Sequence, residues 1–89
     1  MATVHFTAHL DGIAPTEPLK VDGETVVEAL SHVWPLYKRL RGYVLDDQDR
    51  VRKHIAIFID GNLIRGNAAL SHPVSVETEI HVLQALSGG

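Results

Sequence analysis

With 89 residues, 45% of them hydrophobic and 21% charged, the chain has the size of one small folded domain and no length for a second core. It has no cysteine, so thiol chemistry and disulfides are excluded and stability must come from packing alone. The net charge of −3 argues against nucleic acid as the main partner, and no stretch is long and apolar enough to suit a membrane. Met1–Leu10 lacks the basic segment and apolar run of a signal peptide, which makes the cytoplasm the expected location.

Residues 2–10 place Val4, Phe6, Ala8 and Leu10 on one face and Thr3, His5, Thr7 and His9 on the other, the two-residue period of a half-buried strand. Asp11, Gly12, Ala14, Pro15 and Thr16 supply turn chemistry before a second short strand, Glu17–Val21, which Asp22-Gly23 ends. Thr25 followed by Glu28 is the pattern of a reciprocal capping box, and Val26, Ala29, Leu30 and Val33 then recur at helical spacing. Pro35 cannot donate to that helix and disfavours helical geometry at Trp34, so the first helix is expected to end near Val33 and a second, short one to run from Pro35 to Gly42.

Tyr43–Leu45 reads as a brief strand and Asp46–Asp49 as a polar turn. His54–Asp60 is the most β-like run, with Asp60-Gly61-Asn62 turning into Leu63-Ile64 as a hairpin. A loop with Gly66, Asn67, Ser71 and Pro73 leads to a last strand, Glu79–Ala85. This order predicts an α+β domain in which a mixed sheet of four to five strands wraps one main helix and a short second one. That is the β-grasp arrangement; a ferredoxin-like domain would need a full helix where Gly66–Thr78 offers a poor one. A right-handed crossover is expected to set the strand after the helices parallel to a central strand. Residues 1–86 form the domain on this reading and 87–89 a flexible tail.

The tail is where the chemistry is readable. Leu86-Ser87-Gly88-Gly89 follows the last strand directly, and Gly89 is expected to carry the free α-carboxylate. A carboxylate is a poor electrophile until AMP is attached, after which a sulfur nucleophile can displace the AMP and leave a thioester or a thiocarboxylate. An enzyme doing this must thread the tail through a narrow cleft, and two residues without Cβ atoms suit that passage. The competing reading of Gly88-Gly89 is a frayed end or a cloning scar.

A docking surface follows from the strand period. With Ile55, Ile57 and Ile59 facing the helix, Ala56 and Phe58 face away, and with Ile80 and Val82 inward, His81 and Leu83 face outward. Phe58, Leu83, Ala56 and His81, rimmed by His5 and His54, are therefore the expected partner-binding residues. The alternatives are that the chain's own loop or tail covers Phe58, or that the register is inverted. No metal site is expected: a strand holds His5 and His9 roughly 13 Å apart, too far for one ion without other ligands. Six of the eight Lys and Arg residues fall in Lys38–Lys53, but Asp46, Asp47 and Asp49 among them predict a self-neutralising surface. Trp34 reads as a core or edge residue, and Ser87 with His81 lacks the third, orienting group a nucleophile needs.

Val4-His5-Phe6, Thr25–Leu30, His54–Gly61 and Ala85–Gly89 together resemble the ubiquitin-like sulfur carriers of the molybdopterin synthase small-subunit and ThiS type, over nearly the whole chain. Trp34–Lys53 is more similar to the longer stand-alone carriers of cysteine or thio-siderophore pathways. Two departures stand out: Gln84 occupies a position where many relatives have proline, and Arg65–Ala69 matches weakly. The resemblance implies a protein cosubstrate, not an enzyme, and no bound cofactor. An E1-like enzyme would use ATP to adenylate Gly89, sulfur delivery would make a thiocarboxylate, and a sulfur-accepting synthase for molybdopterin, thiamin or cysteine would take the sulfur. Two other classes stay open: a ubiquitin-like modifier conjugated to lysines through Gly89, and a non-covalent β-grasp binding module for which Gly89 is dispensable.

Overall fold

Alternation along the first strand divides the molecule into layers. β1 (Ala2–Phe6) buries Ala2 and Val4, packs Phe6 against the same core, and leaves Thr3 and His5 half-buried on the other face. The computed structural model describes residues 1–6, 13–15 and 17–84. The expected continuation of the first strand through Thr7–Leu10, the turn residues Asp11, Gly12 and Thr16, and the end of the chain from Ala85 to Gly89 lie outside the described residues.

β2 (Leu19–Val21) runs antiparallel to β1 with Ala2 opposite Val21 and Val4 opposite Leu19. It begins two residues later than the expected Glu17, because Pro18 has no N–H to give to the ladder. α1 (Val26–Ser31) buries Val26, Ala29 and Leu30, while Thr25 in extended geometry caps it by accepting from the Glu28 N–H (3.3 Å). The capping is not the reciprocal box: Glu28 Oε1 reaches one residue further back and accepts from the Glu24 N–H (3.0 Å).

The helix layer departs from the sequence reading at Pro35. α1 ends at Ser31 rather than Val33, and residues 32–36 form consecutive turns. The Trp34 N–H still reaches Leu30 O (3.2 Å) and that of Tyr37 reaches Val33 O (3.1 Å), so the turn survives on either side of a proline that contributes no donor. α2 (Lys38–Val44) starts three residues after Pro35 and continues through Gly42, burying Leu40 and Val44 at helical i, i+4 spacing. Tyr43 and Val44 are thus helical and not a strand, and only Leu45 makes an isolated antiparallel bridge, with Val51. Trp34 is half-buried against the core.

β3 (Ile55–Ile59) and β4 (Asn62–Ile64) form the expected hairpin, with Ile59 opposite Asn62. Asp60 (φ 50°) and Gly61 (φ 85°) are its two loop residues, both at the positive φ that a twist-matched two-residue turn requires. β5 (Glu79–Gln84) completes a five-stranded sheet of order β2-β1-β5-β3-β4. β5 is parallel to β1 and antiparallel to β3. The strand after the helices is therefore not the parallel partner of a central strand. The connection leaves from β2, which has already reversed β1, so β3 returns in the direction of the edge strand and the parallel partner of β1 is the last strand. The assembly is a mixed sheet on two helices, the β-grasp arrangement.

Fully buried Val4, Ile57, Ile80 and Val82 from the sheet join Val26, Leu30, Val33 and Leu40 in one core. Each such side chain contributes about 1.5–3 kcal/mol relative to exposure. The segment between β4 and β5, with one 3-10 turn at Gly66–Ala68, completes the helix layer. It buries Ala69 and Leu70, and its carbonyls at His72 and Leu70 accept from the first free N–H groups of α1, those of Val26 (3.0 Å) and Val27 (2.9 Å).

Gly23 is where this packing leaves least room. Its φ of 153° is one that side-chain-bearing residues rarely adopt, and a Cβ there would lie 2.6 Å from the backbone nitrogen of Ala29. Gly23→Ala is expected to cost about 3 kcal/mol, from strain plus displacement of α1, measured as a fall in the urea midpoint. Gly61→Ala, with positive φ but open space around it, should cost about 1 kcal/mol. Equal losses at the two positions would refute the contact.

Candidate functional site

The register carries one row of side chains across the face of the sheet opposite the helices. Leu63 on β4 stands opposite Phe58 on β3, Phe58 opposite His81 on β5, and His81 opposite His5 on β1. The next row pairs Ala56 with Leu83. Ile55, Ile57, Ile59, Ile80 and Val82 are buried on the helix side, so Ala56, Phe58, His81 and Leu83 share the opposite face and are all half-buried. The most exposed apolar member is Leu63, at 40%, which sequence reasoning placed in the hairpin without assigning it to the surface. Its signal was available: a residue opposite Phe58 in a tight hairpin must share its face.

The polar end of the row is ordered by contacts that a list of histidines could not reveal. The rings of His5 and His81 stack with centroids 4.2 Å apart and planes 3° from parallel. His5 Nε2 is 2.5 Å from Glu79 Oε1, a hydrogen bond in which an ionised carboxylate can only accept. Glu79 is held in turn by its N–H donating to Asp60 Oδ1 (2.9 Å) and its carbonyl accepting from the Asp60 N–H (2.8 Å). His54 is not in these rows; it lies in the turn before β3 and lines a hollow with Asp46, Arg50 and Asn67. Among the described residues, no group of three or more His, Asp or Glu side chains is gathered as a metal site. No helix there is long and apolar enough to cross a membrane.

The charged segment before β3 is organised by Asp46. Its Oδ1 accepts from the N–H groups of Gln48 (2.8 Å) and Arg50 (3.0 Å), and Oδ2 lies 3.4 Å from Arg50 Nε. The N–H of Asp46 donates to Arg50 O (2.8 Å), closing a turn in which Asp49 takes φ 60°. Asp49 also pairs with Arg41. Two of the expected acidic residues therefore neutralise neighbouring arginines. The Arg50 N–H, followed by that of Gln48 and the Arg50 charge, holds the Asp46 carboxyl below its ordinary range against the opposing effect of desolvation.

Ser87, Gly88 and Gly89, the residues in which sequence reasoning placed the chemistry, lie outside the described residues. The last described residue before them is Gln84. Gln84 stands opposite Ile55 and Leu83 opposite Ala56, so the chain leaves β5 beside the start of β3 and at the margin of the open-face row.

No family model and no curated protein matches the chain. Solved structures do. The small archaeal modifier protein SAMP1 of Methanosarcina acetivorans superposes with a TM-score of 0.83 at 29% identity, over 99% of this chain and 95% of that one. CysO of Mycobacterium tuberculosis gives 0.83 at 15% identity, over 97% and 100% of the two chains. Urm1 of Trypanosoma brucei gives 0.68 at 15%, over 99% and 94%. At these identities the last two likenesses establish the fold alone.

The Asp46 turn yields a pH prediction. A carboxyl whose folded value is depressed stabilises the fold above its unfolded value, and that contribution is lost as pH falls through the folded one. Asp46→Asn should therefore melt below the native protein at neutral pH, and the gap should close as pH drops beneath the ordinary range of an Asp carboxyl. A gap independent of pH would assign the turn's stability to something other than the carboxylate charge.

Proposed function

We propose, from a structure that matches SAMP1, CysO and Urm1 and so has the architecture of the ubiquitin-like sulfur carriers of ThiS and MoaD type, that this protein is a cosubstrate acting through the carboxylate of Gly89. The near-complete overlap with the archaeal modifier supports a carrier or modifier role in general. The observation that carries the finer reading is the Gly88-Gly89 pair, separated by three residues from the end of β5, the strand at the centre of the sheet.

The chemistry needs no catalytic side chain on this chain. In an E1-like adenylating enzyme, a Gly89 carboxylate oxygen attacks the α-phosphorus of ATP and pyrophosphate leaves, giving an acyl adenylate. Hydrosulfide then attacks the acyl carbon, AMP leaves with the carboxylate oxygen, and loss of the remaining sulfur-bound proton gives the thiocarboxylate. In a sulfur-accepting synthase the thiocarboxylate sulfur displaces a leaving group from an electrophilic carbon of the acceptor, and water then cleaves the resulting acyl–sulfur bond, which leaves the sulfur on the acceptor and returns the Gly89 carboxylate. Glycine at the last two positions keeps the tail narrow enough for a cleft that reaches the nucleotide, with Ser87 preceding it in the tail. Ala56, Phe58, His81 and Leu83 supply the docking face beside the root of the tail. A second reading, conjugation of Gly89 to a lysine amine by the same activation, is favoured by the likeness to proteins called modifiers.

Incubation of protein ending at Gly89 with an E1-like enzyme, ATP and sulfide should replace one oxygen by one sulfur in the intact mass, mapped to Gly89. Deletion of Gly89 should abolish the change while the melting temperature stays unaltered. An isopeptide to lysine would select the modifier reading, and full biological activity without Gly88-Gly89 would refute both.

Phe58→Asp should leave the domain folded, since the side chain is on the open face, and should weaken association with the activating enzyme or the synthase. A truncated hot-spot aromatic at an interface costs about 2 kcal/mol or more, readable by titration calorimetry. Unchanged binding would remove Phe58 from the interface, and unfolding would return it to the core.

A further inference from the structure

The open-face row does not end at Ala56 and Leu63. Both also line a hollow of about 430 Å³ at the start of β3, together with Ile64 and the side chains of Arg52, Lys53 and Arg65. An adjoining hollow of about 580 Å³ shares Arg52 and Lys53 and adds Arg50 and His54. The root of the tail is alongside, because Leu83 and Gln84 are the register partners of Ala56 and Ile55.

The charge of this region is opposite to that of the molecule. The chain has a net charge of −3, yet three cations and no acid line the first hollow. Arg52 is fixed in place by its Nε–H donating to Gly42 O (2.8 Å). Lys53 and Arg65 are exposed and make no ion pair among the described residues. The one acid lining the adjoining hollow, Asp46, is already engaged by the Gln48 and Arg50 N–H groups and by the Arg50 side chain. Positive potential is therefore left uncompensated at this hollow, alongside Leu83 and Gln84, the last described residues of β5.

We propose that this hollow receives an acidic segment of the enzyme that activates the tail, with an apolar side chain seated on Ala56, Leu63 and Ile64 and flanking carboxylates on Arg52, Lys53 and Arg65. The inference rests on the reading of the tail as the reactive group, since an enzyme that brings Gly89 to a nucleotide must hold the tail's root. The mixed lining selects polypeptide over nucleic acid. The floor is aliphatic, no aromatic side chain is present on which a base could stack, and a net negative chain repels a long polyanion. The apolar part sets the seat, while the cations steer the encounter and fix its orientation.

Two measurements test this, one of them without the enzyme. Adding a blocked Glu-Asp-Leu-Asp-Glu peptide to isotopically labelled protein should shift the amide resonances of Val51–His54 and Ile64–Gly66, and leave the β2 edge unmoved. In calorimetry with an E1-like enzyme, Lys53→Glu combined with Arg65→Glu should weaken binding by about tenfold or more, with the difference narrowing as salt is raised. Lys20→Glu, a reversal of the same kind on the exposed residue of β2, should change binding little. Both residues of the double variant are exposed, so its melting temperature should match the native one; the pair Lys53→Gln and Arg65→Gln serves as a milder second variant, with a smaller loss in the same direction. Unchanged affinity in both variants overturns the proposal, as does an equal loss from Lys20→Glu. Resonance shifts produced by an RNA oligonucleotide and not by the peptide would also overturn it. Thiocarboxylate formation on the native chain with no effect of either variant refutes this surface alone, whereas lost binding in the variants without any sulfur gained at Gly89 upholds the surface and refutes the tail chemistry.

Discussion

The parallel pairing of β1 with β5 is the constraint on which the other contacts depend. It brings Thr3 beside Glu79 and Phe6 beside Val82, so almost the whole chain must be in place before the centre of the sheet closes. Closure at that separation is costly in chain entropy, although the cost grows only slowly with length. Once made, it places the last strand between two neighbours, with β1 on one side and β3 on the other. The backbone of β5 is then paired along both edges, and what continues beyond Gln84 springs from the best-supported strand of the sheet.

The same pairing sorts the two faces. Because side chains alternate, fixing Val4 against Ile80 and Ile57 against Val82 on the helix side forces His5, His81, Phe58 and Leu63 into line on the other. A slip of one residue on β5 would exchange Ile80 and Val82 for Glu79, His81 and Leu83 on the core side. The buried aliphatics make that slip prohibitive, so the composition of the open face follows from the needs of the core. Leu30, Val26 and Leu40 cover the core from the helix side, and the segment from Gly66 to Val74 supplies both buried side chains and carbonyl partners for the start of α1.

Local chemistry gave several elements away in the sequence. Alternation marks β1, β3 and β5, Thr25 marks the start of α1, and Asp60-Gly61 marks the hairpin, each because the signal and the structure it specifies lie within a few residues. The Gly88-Gly89 pair is equally visible as a motif. Where the reading went astray, the deciding contact came from elsewhere. Gly42 looks like a helix end, but burial of Leu40 and Val44 on one face carries α2 past it. Glu28 spaced from Thr25 looks like a reciprocal box, but its carboxylate takes the Glu24 N–H.

The sequence by itself determined which residues alternate inward and outward and where the chain must turn, since these are properties of neighbours along the chain. Only the tertiary structure decided that the last strand is central and parallel to the first, that Leu63 extends the open face and that His5 stacks on His81 and bonds Glu79. It alone brought Arg65 to Arg52 and Lys53 around Ala56, the register partner of Leu83 near the end of β5. Those outcomes depend on which strands become neighbours. Strand order is chosen by burial summed over the whole core, a quantity that no short stretch of the sequence contains.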